Sequence, residues 1–110
     1  MEKEIADFFD FMVEEHIDKR MLPYINMPKL RDNFIDRFVK VIHRYHEFHL
    51  ENPNLDHDEY TEELNDLIEE NEVPFWFNTY NGYCELFLEA DMKVENFAQI
   101  MYDKYSDHDQ

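Results

Sequence analysis

Histidines recur at a regular interval in the first half of the chain. His43, His46 and His49 lie three residues apart, and Glu47 follows four residues after His43. On a helix, adjacent pairs at this spacing could each reach one metal ion, with a carboxylate as a further ligand. Because each residue turns the helix by about 100°, all three histidines cannot meet one ion from a single helix. We therefore expect these histidines at the border of a core, and we predict no metal site and no cofactor.

Cysteine and glycine usage argues against an enzyme. Cys84 is the only cysteine and Gly82 the only glycine. This excludes a thiolate zinc site, an intrachain disulfide, a glycine-rich phosphate loop and a nucleophile elbow. We expect Cys84 on a core face, where a thiol is usually inert. The acids sit on an exposed helix face and lack the environment that general acid catalysis requires, so no catalytic residue is predicted.

Carboxylates form the densest charge of the chain between residues 58 and 70. Seven acids in thirteen residues recur once per helical turn, so neighbours project about 5–6 Å apart from one side of a helix. The phosphates of a DNA strand follow at a comparable interval. Such a helix could occupy a groove built to hold phosphate, and otherwise it is a solvated face. The candidate partner-binding acids are Asp58, Glu59, Glu62, Glu63, Asp66, Glu69 and Glu70.

The whole chain carries a net charge of −17, arranged in three blocks. Residues 1–18 and 47–110 are acidic, whereas residues 19–46 carry an excess of lysine and arginine. A charge this far from zero repels nucleic acid and anionic membranes and steers association with basic surfaces. We therefore expect a basic protein surface as the partner, on a nucleic-acid-binding protein or nuclease complex, with no direct binding of DNA and no membrane.

Helical periodicity accounts for most of the elements that must position these acids. Apolar residues three and four apart predict helices over residues 2–19 and 28–50, separated by a proline-containing connection. Asp56, with Glu59 three residues later, is typical of the start of a third helix, which carries the acids. A last helix is predicted over residues 91–105, with Asp91 as its N-cap. Its predicted apolar face consists of Val94, Phe97, Ala98, Met101 and Tyr105.

A hairpin is predicted between the third and last helices. Asn81-Gly82 between aromatic and β-branched runs is the strongest short-range signal for a two-residue turn. Strands on either side, within residues 75–88, would carry Trp76, Tyr80, Tyr83 and Phe87 on one face. This strip is the second candidate binding surface, because aromatic residues are enriched at binding hot spots. The opposing interpretation makes residues 82–90 helical. The predicted fold is α+β, ααα-hairpin-α, with an all-α bundle as the alternative.

The composition is that of a folded, cytoplasmic protein. With 44% apolar and 16% aromatic residues in 110, the chain is expected to form one acidic globular domain over residues 1–110. No apolar run approaches the roughly 20 residues that cross a bilayer, and the acidic N-terminus lacks the order of a signal peptide.

In composition, the chain resembles the small acidic inhibitors encoded by bacteriophages and mobile elements. These include anti-restriction and anti-CRISPR proteins, and nuclease-immunity proteins are similar; no motif assigns a family. The resemblance implies an inhibitor that mimics nucleic acid, working in the host-cell cytoplasm if it is phage-encoded. The alternative is a non-enzymatic interaction or regulatory module that binds through the aromatic hairpin, and a homodimer through that strip is also open.

Overall fold

The computed structural model describes residues 1–16, 19–24, 26–71, 73 and 87–108. In this part of the chain every regular element is a helix. In chain order they are α1 (Glu2–His16), a 3-10 helix (Lys19–Tyr24), α2 (Met27–Glu51), α3 (His57–Glu70) and α4 (Phe87–His108). The molecule measures 47 × 24 × 18 Å along its principal axes, with a radius of gyration of 14.4 Å.

The start of α2 follows from local chemistry. Pro23 lies in the preceding 3-10 helix, and a proline has no backbone N–H with which to continue an α-helix. The side chain of Asn26 then caps α2 by accepting a hydrogen bond from the backbone N–H of Lys29, at 3.2 Å. Pro28 occupies the first turn, where its fixed φ favours the helix. The predicted connection and the predicted start near Pro28 are confirmed.

α2 is the central helix, and α1, α3 and α4 all pack against it. Phenylalanines join α1 to α2 and to α4. Phe34 of α2 lies 5.3 Å from Phe9 of α1, and Phe8 of α1 stacks at 4.0 Å on Phe97 of α4. Each fully buried phenylalanine stabilises the fold by about 1.5–3 kcal/mol. The buried side of α2 consists of Leu30, Phe34, Phe38, Val41, Ile42 and Tyr45.

The predicted α+β fold is wrong, and the all-α alternative fits. No strand occurs among the described residues. Phe87 and Leu88, which the prediction placed in the second strand, begin α4. The segment that starts there is rich in Leu, Glu, Ala, Met and Lys, all of them good helix formers. The remainder of the predicted hairpin, residues 75–86 with the Asn81-Gly82 turn, lies outside the described residues.

The predicted N-cap of the last helix is also wrong. Asp91 lies inside α4, which begins four residues earlier. Val94, Ala98 and Met101 are buried as the periodicity predicted, because the shift of the start leaves the register of the apolar face unchanged. None of the described helices combines the length and the apolar character that a bilayer crossing requires.

Candidate functional site

α3 has one apolar side and one acidic side. Its first turn is fixed by Asp56, whose carboxylate accepts a hydrogen bond from the backbone N–H of Glu59 at 2.9 Å. This confirms the predicted cap. Leu64, Leu67 and Ile68 are buried in the core. Because these three residues share one stripe of the helix, the polar residues of α3 are directed outward.

The acidic face of α3 unites all seven acids that the sequence singled out. Six of them are exposed, and Glu63 is half-buried at the edge next to α2. The face therefore presents carboxylates along the full length of a 14-residue helix. Its members are Asp58, Glu59, Glu62, Glu63, Asp66, Glu69 and Glu70.

These carboxylates have no cationic partner within the part of the chain that the structure describes. The ion pairs Lys19–Glu14, Arg31–Asp10 and Lys104–Glu4 all involve acids of α1 and none of the acids of α3. The acids of α3 act on one another instead. Burial raises the pKa of Glu63, and the charges of Asp66, Glu70 and Glu62 raise it further. The acidic face thus carries repulsion that no described lysine or arginine relieves.

The first turn of α3 shows the same repulsion. The negative charge of Asp56 is the main reason why the pKa of Glu59 is raised, and Glu62 adds to it. A cationic surface placed against this side of α3 would oppose that shift, because a nearby positive charge favours the ionised carboxylate.

α1 differs from α3, because its acids are partly neutralised. Arg31 of the basic block forms a two-pronged pair with Asp10, with both N–O distances at 3.0 Å. Its hydrogen bonds to Asp10 raise the pKa of the Arg31 guanidinium. Lys104 of α4 pairs with Glu4 at 2.9 Å. Part of the basic block, residues 19–46, therefore pairs with acids of the same chain. As a result, α1 offers less free negative charge than its composition indicates.

The histidine run lies against tyrosines of the neighbouring helices. The ring of His43 stacks at 5.3 Å on Tyr105, and His46 meets the same tyrosine edge-on at 5.3 Å. His49 stacks on Tyr60 of α3 at 4.0 Å. Among the residues that the structure describes, no three His, Cys, Asp or Glu side chains are gathered as metal ligands would be.

Most of the second predicted surface lies outside the described residues. This holds for Trp76, Tyr80 and Tyr83, and also for Cys84. Phe87 is the first residue of α4, so its predicted place in a strand is wrong.

A polar cleft lies between α3 and α4, beside the acidic face. Its volume is about 180 Å³, below the roughly 300 Å³ at which pockets for small ligands begin. The cleft is lined by His57, Thr61, Leu64, Asn65, Glu95, Asn96 and Gln99.

The sequence did not reveal the cluster of histidines and tyrosines that joins α2, α3 and α4. Tyr102 of α4 is buried within it, 4.6 Å from Tyr45, and was absent from the predicted face. The only signal in the sequence is the coincidence of three histidines on α2 with tyrosines on the facing helices. Which of these histidines and tyrosines touch can be seen only when the helices are packed together.

Comparison with known proteins does not assign this chain to a family. No family model matches the chain, and neither a curated protein nor a solved structure is similar to it.

Proposed function

We propose that this protein is a stoichiometric inhibitor whose acidic face enters a cationic, nucleic-acid-binding groove of a target protein. The observation that carries the proposal is the acidic face itself. Its seven carboxylates lie on the outward side of one helix, and none is paired with a basic group in the described part of the chain.

The spacing of the acids supports a groove built for phosphate. Glu62, Asp66 and Glu70 follow one another at four-residue intervals, which places neighbouring side chains about 5–6 Å apart. The helix is formed before binding, so the backbone that carries this row does not have to be ordered on association. Excluding the natural ligand then requires only that the helix occupy the same groove.

The free protein bears a cost for this arrangement. Like charges three or four residues apart destabilise a helix by about 0.2–0.5 kcal/mol per pair. Spreading the same acids over the surface would give equal solubility without that repulsion. A basic partner surface would convert the repulsion into attraction, and we take this as the reason for the concentration of acids on α3.

The partner is a basic protein and not DNA, because a chain of net charge −17 repels phosphate. In order of preference, the target is a phage-defence nuclease complex, a restriction enzyme or a toxin nuclease, met in the cytoplasm. Charge complementarity would make association fast and sensitive to salt. α1 would contribute less than α3, because Asp10 and Glu4 are already paired with cations of the same chain.

The decisive experiment is capture of proteins from a bacterial lysate on the immobilised wild-type chain and on two variants matched in charge. The first variant removes five of the seven charges of the acidic face. The second loses the same number of charges from exposed residues of α1 and α2 and leaves α3 intact. Their substitutions are Glu62→Gln, Glu63→Gln, Asp66→Asn, Glu69→Gln and Glu70→Gln in the first, and Glu2→Gln, Asp7→Asn, Glu15→Gln, Glu47→Gln and Glu51→Gln in the second.

We expect the wild type and the second variant to retain a nucleic-acid-binding protein that the first variant loses. Added duplex DNA and high salt should each release it. Circular dichroism must show that both variants remain helical. Equal capture by the two variants would contradict the proposal. So would loss of capture on Trp76→Ala and Tyr83→Ala while the first variant still binds, since that result would favour an interaction module that uses the aromatic residues.

A further inference from the structure

One imidazole lies where three helices meet. His49, near the end of α2, stacks on Tyr60 of α3 with ring centres 4.0 Å apart and planes 15° apart. Its other side stacks on Tyr102 of α4, at 4.8 Å and 17°. Tyr45, one turn earlier on α2, meets the ring edge-on at 4.5 Å. We call this arrangement of His49 between Tyr60 and Tyr102 the histidine sandwich.

The histidine sandwich suits the neutral imidazole. The Nε2 atom of His49 is buried and has no hydrogen-bond partner among the described residues. In a neutral ring protonated on Nδ1, this atom carries only a lone pair. Protonation would convert it into an N–H donor with no acceptor, in a position that water does not reach. The packing therefore penalises the charged form more than the neutral one.

Two charged groups near the ring act in opposite directions. On α2, His46 opposes a second positive charge at His49. On α4, Asp103 favours it. Burial is the largest influence and lowers the pKa of His49.

The remaining titratable groups are on the facing helices. Burial raises the pKa of Tyr102 on α4 and raises that of Tyr45 to about 12, so both stay neutral in mildly acidic solution. α3 contributes the phenol of Tyr60 and, beyond Tyr45, the carboxyl group of Glu63.

We propose that the histidine sandwich is a pH-sensitive clamp: neutral His49 holds α3 and α4 against α2, and protonation of its ring in mildly acidic solution loosens that junction. The affected helix, α3, is the one that carries the acidic face. The clamp does not depend on the proposed inhibition, since it rests on packing within the chain and can be tested without a partner.

The pH dependence that His49 gives to stability is opposite in sign to the one that the crowded carboxylates give. A histidine whose pKa is lower in the folded than in the unfolded chain stabilises the fold above the unfolded value, about 6.5, and that stability is lost as the pH falls. Protonation of the crowded carboxylates Glu59 and Glu63 acts oppositely, because their raised pKa values favour the folded state in acid. The effect of the clamp on stability must therefore be measured as a difference between the wild type and a variant that lacks the imidazole.

The test compares the unfolding of the wild type with that of His49→Phe in urea, from about pH 7.5 to about pH 5.5, on either side of the histidine range. Phenylalanine keeps a flat aromatic ring between the tyrosines and cannot be protonated. His57→Phe is the control, because it removes an exposed imidazole from the first turn of α3. We expect the urea midpoint of the wild type to fall relative to that of His49→Phe as the pH is lowered. His57→Phe should follow the wild type.

Parallel midpoints for the wild type and His49→Phe would overturn the clamp. So would a wild-type midpoint that rises relative to the variant, since the tyrosines and Asp103 would then favour the imidazolium. If His49→Phe does not fold, the wild type alone decides. The NMR titration midpoint of the His49 ring should be lower in the native protein than in urea, and an equal or higher native midpoint would overturn the proposal.

Discussion

Tyr60 links two parts of the molecule through one side chain. Its hydroxyl donates a hydrogen bond to the backbone carbonyl of Asn52 and accepts one from the backbone N–H of Leu55, at 3.3 Å. Its ring stacks on His49 and meets Phe48 edge-on at 6.1 Å. The phenol therefore closes the loop between α2 and α3 while its ring packs on the end of α2.

Removing only this hydroxyl should destabilise the protein. Tyr60→Phe keeps the ring contacts but leaves the Asn52 carbonyl and the Leu55 N–H without their partner. We expect a loss of about 1–2 kcal/mol in the free energy of unfolding, measured in urea. Tyr24→Phe is the matched control, because Tyr24 is 79% exposed, and it should change stability by less than about 0.5 kcal/mol. Equal losses in the two variants would show that the hydroxyl of Tyr60 has no special role.

At the scale of the element, Asp56 has two opposing effects on α3. Its carboxylate caps the helix by accepting from the N–H of Glu59, and its charge raises the pKa of the Glu59 side chain. Asp56→Ala removes both effects, whereas Asp56→Asn keeps the hydrogen-bond acceptor and removes only the repulsion.

The two Asp56 variants should therefore differ. We expect Asp56→Ala to lower the free energy of unfolding by about 1 kcal/mol, and Asp56→Asn to cost much less. Thermal unfolding followed by circular dichroism measures both. If asparagine is as damaging as alanine, the charge of Asp56 matters more than its hydrogen bond.

The helices could be predicted where two independent signals agree. α1 and α2 combine apolar periodicity with prolines at their junction, and α3 combines it with the Asp56 cap. The start of α4 could not be predicted, because Phe87 and Leu88 also fit an alternating strand pattern. Asn-Gly is a local signal, and an isolated two-stranded hairpin is marginal in water without further strands or helices to cover it.

The candidate site could also be predicted only in part. That the acids of α3 share one exposed face follows from helical spacing, because Leu64, Leu67 and Ile68 fix the opposite side. Which acids are neutralised does not follow, since the partners of Glu4 and Asp10 are 100 and 21 residues away in the chain. The histidine sandwich was missed for the same reason, because its three rings come from three helices.

For the molecule as a whole, the net charge of −17 opposes folding, and the repulsion is distributed unevenly over the helices. Ion pairs relieve part of the charge on α1, while the acidic face keeps its repulsion. A carboxylate whose pKa is raised by folding stabilises the fold below its unfolded value, about 4.3. That contribution is lost as the pH rises through the folded value. At neutral pH, Glu63 is therefore a destabilising residue.

Replacing this acid should stabilise the free protein. We expect Glu63→Gln to raise the free energy of unfolding at neutral pH by about 0.2–0.5 kcal/mol for each like-charged neighbour relieved. The gain should shrink as the pH is lowered toward the raised pKa of Glu63, and urea unfolding of both proteins at several pH values measures it. A variant that is less stable than the wild type at neutral pH would show that the packing of Glu63 outweighs its repulsion.

The proportions of the molecule affect how its mass should be measured. The longest axis, 47 Å, is about twice the next, and the radius of gyration of 14.4 Å exceeds the roughly 13 Å typical of a compact chain of this length. An elongated particle diffuses more slowly than a sphere of equal mass. A single copy therefore elutes somewhat earlier from a gel-filtration column than a compact sphere of its mass, so light scattering, which reports mass independently of shape, is the appropriate assay of self-association.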